Sequence, residues 1–323
     1  MNKDIHKLFL IINPVSGTNH KPGFEKDIIS GLTGLGFEVE TEFTARSGSA
    51  SSLAKRAVDE HFDGVLVCGG DGTINETAGA LINTGVPLGI IPNGSGNGLA
   101  RHLDIPIDII DSLEIIAERN ISKCDYGTAN GHPFFCTFGI GFDAAVSDRF
   151  AAASSRGRLT YVRSAFHEFR HYKAKPYRIM ADGETIDVNA LLITVCNAGQ
   201  YGNNAYICPD ASITDGRLNL VIVPETSRLS MINLGMGMMS GTLGHNKKLI
   251  KRSVESLTII REDGPAHLDG EPFAEAGTEI NITCVPGALD IFTNVRKKPF
   301  KPILTPMHSL SKDLGSSIKH IFR

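Results

Sequence analysis

The stretch GVLVCGGDGTINETAGAL, Gly64 to Leu81, sets the reading of the whole chain. Gly64–Val67 is a short apolar run suited to a buried strand, and Asp71–Leu81 continues as a helix opened by glycines. Between them lies CGGDGTINE, Cys68 to Glu76. Glycines there let a backbone approach a polyanion with no Cβ in the way. The free N–H groups and dipole of a helix N-terminus favour phosphate, and Thr73 adds a hydroxyl donor. Asp71 runs against this logic, because a carboxylate repels phosphate oxygens. It fits if Mg²⁺ lies between the two, since hard cations bind both. A tight turn with Asp as N-cap is the plainer alternative.

Two further loops share the pattern. IINPVSG, Ile11 to Gly17, ends a first strand in an Asn-Pro and a Ser-Gly turn, and PNGSGNGLAR, Pro92 to Arg101, follows the strand Pro87–Ile91. Helical stretches at Phe24–Leu35 and Ser51–Glu60 and a strand at Phe37–Phe43 complete a β-α-β-α order. That order argues for an α/β nucleotide-binding domain with a doubly wound, mostly parallel sheet. Three such loops would line up on the sheet's carboxyl edge, where open α/β folds bind ligands. Neither a Walker A sequence nor a convincing Rossmann GxGxxG is present.

The pattern changes near Lys123. Short β-type runs follow at Phe134–Phe138, Tyr177–Met180, Ala190–Cys196, Leu218–Val223, Ser256–Ile260 and Glu279–Val285, punctuated by Asp-Gly pairs at Asp182, Asp215, Asp263 and Asp269. This reads as a β-rich antiparallel sandwich interrupted by helices near Arg158–Tyr172 and Leu229–Leu243. The expected domains are 1–124, completed by 290–323, and 125–289.

The chain has 323 residues, 41% hydrophobic and 21% charged, with net charge −3. Two domains with sizeable cores are expected, and nucleic acid is not an expected partner without a positive field. The six cysteines form no CxxC pair and sit in apolar runs, as thiols of a reducing, cytoplasmic protein would. The Leu8–Ile12 run is too short for a secretory h-region, and no apolar stretch reaches about 18 residues. Any membrane contact is therefore expected to be peripheral.

NPxSG, GGDGTxNE and PxGSGNxLAR, in this order, resemble the catalytic domain of the diacylglycerol kinase and sphingosine kinase superfamily, and CPDASITDGRL (Cys208–Leu218) and HLDGEP (His267–Pro272) resemble its second domain. The resemblance implies an ATP-dependent lipid kinase with Mg²⁺, and an ATP site in the cleft between the domains. By motif matching, Asn13, Pro14, Val15, Ser16, Gly17, Thr44, Gly70, Asp71, Gly72, Thr73, Ile74, Asn75, Glu76 and Ser95 would contact ATP. Thr44 rests only on its TARSGSA context. Gly98 departs from bacterial diacylglycerol kinases, where Asp is expected, and the loop is more similar to those of sphingosine and ceramide kinases. The lipid is left open between diacylglycerol-like and sphingoid-like. Asp125 would match another acidic member of the metal network. In the Cys208–Leu218 segment the resemblance implies a structural Mg²⁺ site using the Asp215 carboxylate and the backbone carbonyls near Ser212 and Arg217, with an ordinary Asp-Gly hairpin as the alternative.

The resemblance also places the proton acceptor in His267–Phe273. Asp269 and Glu271 are two apart and would face the same way in an extended segment. A carboxylate within about 2.6–3.2 Å of a hydroxyl can take its proton; both residues stay open. On the lipid side, the Met- and Gly-rich Leu229–Leu243 would line a tail pocket, touch a bilayer or pack as a core helix. The basic, aromatic Arg158–Lys175 and the basic 296–323 tail would meet anionic headgroups, or serve as a surface helix and a tail packed on the first domain. A homodimer is an open option. The rival readings are a soluble-substrate kinase, since NAD kinases and phosphofructokinases resemble the GGDG turn, and a non-catalytic nucleotide- or lipid-binding regulator, for which Gly98 is the best support.

Overall fold

The computed structural model describes residues 5–17, 23–152, 167 and 171–295. The expected readings of Arg158–Tyr172 (apart from its last residues) and of the 296–323 tail lie outside these residues.

Four strands form the parallel core of the first domain: β1 (Lys7–Ile12), β2 (Glu38–Phe43), β3 (Gly64–Gly69) and β4 (Leu88–Pro92). They lie in the order β4-β3-β1-β2. Both faces of the sheet are covered. Side chains alternate along each strand, so Phe9, Ile11, Val65, Val67 and Ile90 point to one layer and Leu8, Leu10, Ile12, Leu66 and Ile91 to the other. The first layer packs on α2 (Ser49–Asp59) and α3 (Asp71–Leu81) through Ala50, Ala54, Ala57, Ile74, Ala78 and Leu81. The second packs on α1 (Phe24–Gly34) and α5 (Ile109–Ala117) through Ile28, Leu32, Leu113 and Ile116. Small alanines on α2 and α3 let those helices lie close to the sheet. A short α4 (Gly98–His102) follows the second glycine loop.

Two long strands carry the sheet into the second domain. β5 (Ile121–Ala129) pairs antiparallel with β15 (Glu279–Phe292), and the end of β15 returns to lie parallel to β4 at Ile291↔Leu88. The remaining strands are antiparallel: β6 (His132–Phe134), β7 (Thr137–Gly141), β8 (Lys175–Ala181), β9 (Glu184–Cys196), β10 (Leu218–Pro224), β11 (Ile250–Val254), β12 (Ser256–Arg261), β13 (Ala266–Leu268) and β14 (Glu271–Pro272). Phe134, Phe138, Ile140, Ile179, Ile193, Val195, Leu220, Ile222, Ile259 and Ile282 form their common core. Among the described residues two helices longer than one turn interrupt them, α6 (Phe142–Ala152) after β7 and α7 (Arg228–Ser240) between β10 and β11. No helix among the described residues is long and apolar enough to cross a membrane.

Asp182-Gly183 and Asp269-Gly270 each join paired strands with positive φ at both residues, the geometry a two-residue hairpin demands. The Asp215-Gly216 and Asp263-Gly264 pairs lie instead in longer connections. Asn130-Gly131, at φ 48° and 83°, makes a third such hairpin between β5 and β6.

Asp125, a candidate for the metal network, is buried on β5 with Oδ1 accepting the Gly287 amide at 2.8 Å and Oδ2 the Gly216 amide at 2.7 Å. It ties the irregular Val285–Leu289 step of β15 to the loop before β10. Replacing it with Ala would leave the Gly216 and Gly287 amides without their acceptor. Asp125→Ala is expected to destabilise the fold by about 2–4 kcal/mol in denaturant unfolding.

Candidate active site

The glycine loops meet where the parallel strands end. Ile12 pairs with Phe43 and with Cys68, and Gly69 with Pro92, so the segments that follow share one edge. Asn13 donates its Nδ2 to Thr73 Oγ1 at 2.8 Å, which joins the NPVSG turn to the GGDG turn. Thr44 donates its backbone N–H to the Ile12 carbonyl at 2.9 Å, which brings TARSGSA to the same edge. Directly beyond β2 lies an open depression of about 570 Å³ lined by Phe43, Ala45, Arg46, Gly48 and their neighbours. No side chain caps the N-terminus of α3.

The first and second glycine loops touch backbone to backbone. A Cβ on Gly94 would sit 2.6 Å from Gly70 Cα, so no other residue fits there without displacing a chain. Asn97 holds the second loop in a left-handed conformation at φ 54°; its side chain accepts the Gly94 amide and donates to the Gly94 carbonyl, both at 2.9 Å. Ser95 is exposed at the tip.

This arrangement gives the carboxylate of the glycine turn two backbone partners. Asp71 Oδ2 accepts the Asn97 amide at 2.8 Å and Oδ1 the Gly98 amide at 2.6 Å. Burial pushes its carboxyl up, against the pull of those amides and of Arg101. Asp71 clamps the second loop, whose Asn97 and Gly98 amides offset its charge. Glu76 is similarly committed. It accepts the Gly48 amide at 2.8 Å, the Ala50 amide at 3.2 Å and the Ser47 hydroxyl at 3.2 Å, which anchors the start of α2. A Cβ on Gly98 would meet Cys136 Sγ at 3.5 Å and Asp71 Oδ1 at 3.6 Å. These are ordinary contacts, so space does not exclude Asp there; what it would add is a second carboxylate beside the first.

The second domain contributes the Asp269 turn. Asp269 Oδ1 accepts the amides of Cys136 and Thr137, both at 2.7 Å; Oδ2 accepts the Phe135 amide at 2.8 Å and Asn75 Nδ2 at 3.0 Å. The last of these crosses to α3 of the first domain. Burial raises the carboxyl to about 6 even though the amides and His267 favour its charge. The expectation that Asp269 and Glu271 share a strand face is corrected. Asp269 is a turn residue at φ 52°, whereas Glu271 stands after the turn, exposed, opposite Leu268. Cys136 lies between Asp71 and Asp269, and both carboxylates raise its thiol, although burial is the larger cause.

Other bonds close the gap between the domains. Asn203 N–H donates to the Gly96 carbonyl at 3.0 Å, Arg101 Nη1 to Asn204 Oδ1 at 3.1 Å, and Gly199 N–H to His102 Nδ1 at 3.2 Å. His102 can accept because burial lowers it to about 4, which leaves it neutral.

A polar cluster behind the Asp269 turn escaped the sequence reading. Asp143, at the start of α6, receives Tyr201 Oη at 2.8 Å, Thr194 Oγ1 at 3.0 Å and His267 Nε2 at 3.3 Å on one oxygen, and the Ala144 amide at 2.8 Å on the other. His267 Nδ1 accepts the Gly270 amide at 3.3 Å. A ring that accepts at Nδ1 must donate at Nε2, so Asp143 orients His267 and His267 holds the turn. Gly139 makes room for the pair, since a Cβ there would lie 2.2 Å from His267 Nε2.

The implied metal loop is spread differently. Asp215 is exposed and its Oδ1 accepts the Arg217 amide at 3.1 Å; Ser212 Oγ lies 3.3 Å from Thr214 Oγ1. The Arg217 guanidinium reaches Ser253 and Glu255. Among the described residues no group of three or more His, Cys, Asp or Glu could hold a metal. A site here would rest on one carboxylate and neutral oxygens, a donor set suited to a hard cation.

The chain is similar to known proteins along most of its length. The family model described as Diacylglycerol kinase catalytic domain matches residues 7–129, and that described as YegS C-terminal NAD kinase beta sandwich-like domain matches residues 137–293. A diacylglycerol kinase of Staphylococcus aureus (strain MRSA252) is 31% identical over 271 residues, which cover 81% of this chain and 85% of that one. A diacylglycerol kinase structure from Bacillus anthracis strain Sterne superposes with a TM-score of 0.73 at 21% identity, over 91% of this chain and 98% of the other. An NAD kinase from Archaeoglobus fulgidus in complex with ATP gives 0.51 at 15% identity, over 89% and 94%. The last two likenesses are likenesses of fold.

Asp71→Ala leaves two loop amides without an acceptor. Hydrogen exchange at Asn97 and Gly98 is expected to speed up by on the order of tenfold or more, with the amides of β8 and β12 unchanged.

Proposed function

Because this chain belongs to the diacylglycerol kinase and sphingosine kinase-like superfamily, a family of lipid kinases, we propose that it transfers the γ-phosphoryl group of ATP to a hydroxyl of a diacylglycerol-like or sphingoid-like lipid. The observation that carries the reading is the meeting of three glycine-bearing turns of the first domain with the Asp269 turn of the second around Phe135–Thr137. Phosphoryl transfer asks a protein chiefly for positioning and charge neutralisation. The uncapped start of α3, with the small side chains around it, offers N–H donors to a triphosphate. Asn13 to Gly17, Thr44, Gly70 to Thr73 and Ser95 border the same edge. Ile74, Asn75 and Glu76 support it from behind: Ile74 in the core, Asn75 on Asp269 and Glu76 on α2.

The two acidic candidates take different roles. A carboxylate has about four lone-pair sites, and those of Asp269 are filled by four N–H donors. Asp269 is the organiser of the turn. Glu271 is exposed one residue beyond Gly270 and is the group that takes the proton of the acceptor hydroxyl. Mg²⁺ bound with ATP would neutralise charge on the phosphates. A separate Mg²⁺ at Asp215 and the Ser212 and Arg217 carbonyls would order the loop before β10.

Incubating the chain with [γ-³²P]ATP and a total lipid extract, with NAD and sugar phosphates as parallel acceptors, tests the reading. A labelled lipid supports it. Label in NAD or a sugar supports the soluble-substrate rival, and ATP binding without transfer supports the regulator. Glu271→Gln is expected to lower kcat by roughly 10²–10⁴ with little change in Tm or in KM for ATP. Asp269→Asn is expected to lower both kcat and Tm, because an amide cannot accept four donors.

The pH dependence follows from Asp269. Its carboxyl ionises near 3.8 when free and at about 6 in the fold, so folding takes up a proton between those values. Its contribution to stability is therefore fully present below about 3.8 and is lost as pH rises through 6. Turnover runs the opposite way, since only the carboxylate can accept four N–H groups. A plot of log kcat/KM against pH is expected to fall on the acid side with a midpoint near 6.

A further inference from the structure

The helix α7 (Arg228–Ser240) has no charged residue after Arg228, and none follows until Lys247. A helix on the surface of a water-soluble domain ordinarily turns charged residues outward. Three side chains of α7 face inward: Met231, Leu234 and Met238 pack against the cluster that contains Leu192, Val221 and Leu249. Ile232, Met236 and Met239, spaced four and three apart, form a second stripe and are 50%, 48% and 39% exposed. Gly235 has open space where a side chain would be. The helix is thus apolar on its buried face and again on a solvent face.

Cations flank the exposed face of α7 on its Ser230 and Asn233 side, across from this stripe. Lys247, Lys248 and Arg252 are exposed in the turn and strand that follow. Lys248 Nζ donates to Ser230 Oγ at 3.2 Å, which sets its charge against the first turn of α7. Lys251 is held inward by the carbonyls of Leu243 and Gly244. The acidic groups packed nearby are Asp210, beside Gly244, and Glu225, at the end of β10. Cations therefore outnumber anions around an apolar ridge.

We propose that α7 and the Lys247–Arg252 segment dock this protein on the surface of an anionic lipid bilayer. This rests on the lipid-kinase reading and adds the surface through which the enzyme would reach its substrate. Apolar side chains entering the interface and cations meeting headgroups are the two elements of peripheral binding. The size of the patch favours a bilayer over a second protein. From Ile232 to Met239 the stripe runs roughly 10 Å, whereas a stable protein interface buries on the order of 1,600 Å². The position suits delivery to the site. The Met238 carbonyl accepts the Tyr206 amide at 3.0 Å, and the same 199–206 loop supplies Tyr201 to Asp143 and Asn203 to Gly96.

The test is co-sedimentation of the full chain with vesicles of phosphatidylcholine alone and of phosphatidylcholine with about 30% phosphatidylglycerol. Binding is expected only to the anionic vesicles and to weaken with added salt. The double variant Ile232→Glu/Met236→Glu is expected to lower the partition coefficient by about tenfold or more. Lys247→Glu/Lys248→Glu is expected to lower it similarly, since each cation near an anionic surface contributes about fivefold. Turnover on a short-chain lipid dispersed as monomers should stay within about twofold in both variants. Unchanged vesicle binding in both variants would overturn the proposal, as would a concentration-dependent dimer of the wild type that Ile232→Glu/Met236→Glu makes monomeric. If the variants lose vesicle binding while no lipid is phosphorylated by any form, the docking surface stands and the kinase reading falls.

Discussion

The Asp269 carboxylate is the point on which the rest of the site depends. It gathers three consecutive amides of the segment entering β7 and one side-chain amide of α3, so a single group fixes a strand of its own domain and touches the other. Burying a charge is costly unless hydrogen bonds replace water. Four donors make the replacement nearly complete, yet burial still raises the carboxyl to about 6. The group is held close to the edge of its tolerance for charge. It therefore fits an organising role better than a role that requires a free lone pair, and the division of labour with the exposed Glu271 follows from that.

The first domain solves a related problem with the opposite arrangement. Asp71 sits where a phosphate turn would ordinarily avoid negative charge, and it is balanced by the Asn97 and Gly98 amides. A buried carboxylate makes a rigid clamp between two loops because leaving either amide unmade is expensive. The loops approach so closely that only glycine fits at position 94. The start of α3 has no side-chain cap. The two carboxylates flank Cys136 from either side. Loop geometry and the contact between the domains are thus set by charges that are already paired.

Where local pattern decides structure, the sequence was easily read. The α3 bounds, Asp71–Leu81, coincide with the expected ones, because a glycine-marked start and an apolar stripe define a helix without reference to anything distant. The runs that form β8 and β12 alternate in the simple way, and β10 is a short, almost continuously buried apolar run. Reading failed where partners are far apart in the chain. Asp143, His267, Tyr201 and Thr194 come from four separate segments, and nothing in their spacing joins them; the glycine at 139, in the run TFGIG, was the one local hint. The backbone partners of Asp125, Gly216 and Gly287, are hidden for a similar reason, since they lie on distant loops. Asp269 and Glu271 diverge for a different reason: the Asp-Gly turn puts the first residue at positive φ, so a spacing of two no longer means a shared face.

The Asp143–His267 pair suggests how the acceptor side and the phosphate side stay in register. His267 holds Gly270, the residue between Asp269 and Glu271, while Asp143 is held in turn by Tyr201. Two residues beyond Tyr201, the Asn203 amide binds Gly96 in the second glycine loop. A continuous set of hydrogen bonds therefore runs from the phosphate loop, through the 199–206 segment, to the turn that carries the acidic pair. Gly270 and Gly96 each contribute backbone groups, so the connection does not depend on long, mobile side chains at its ends. Buried polar sets of this kind are demanding, because losing one member leaves others unpaired. That cost is what makes them effective spacers. A shift of the second loop would have to break its bond to Asn203, so the spacing between that loop and the Asp269 turn is held by the energy of that break.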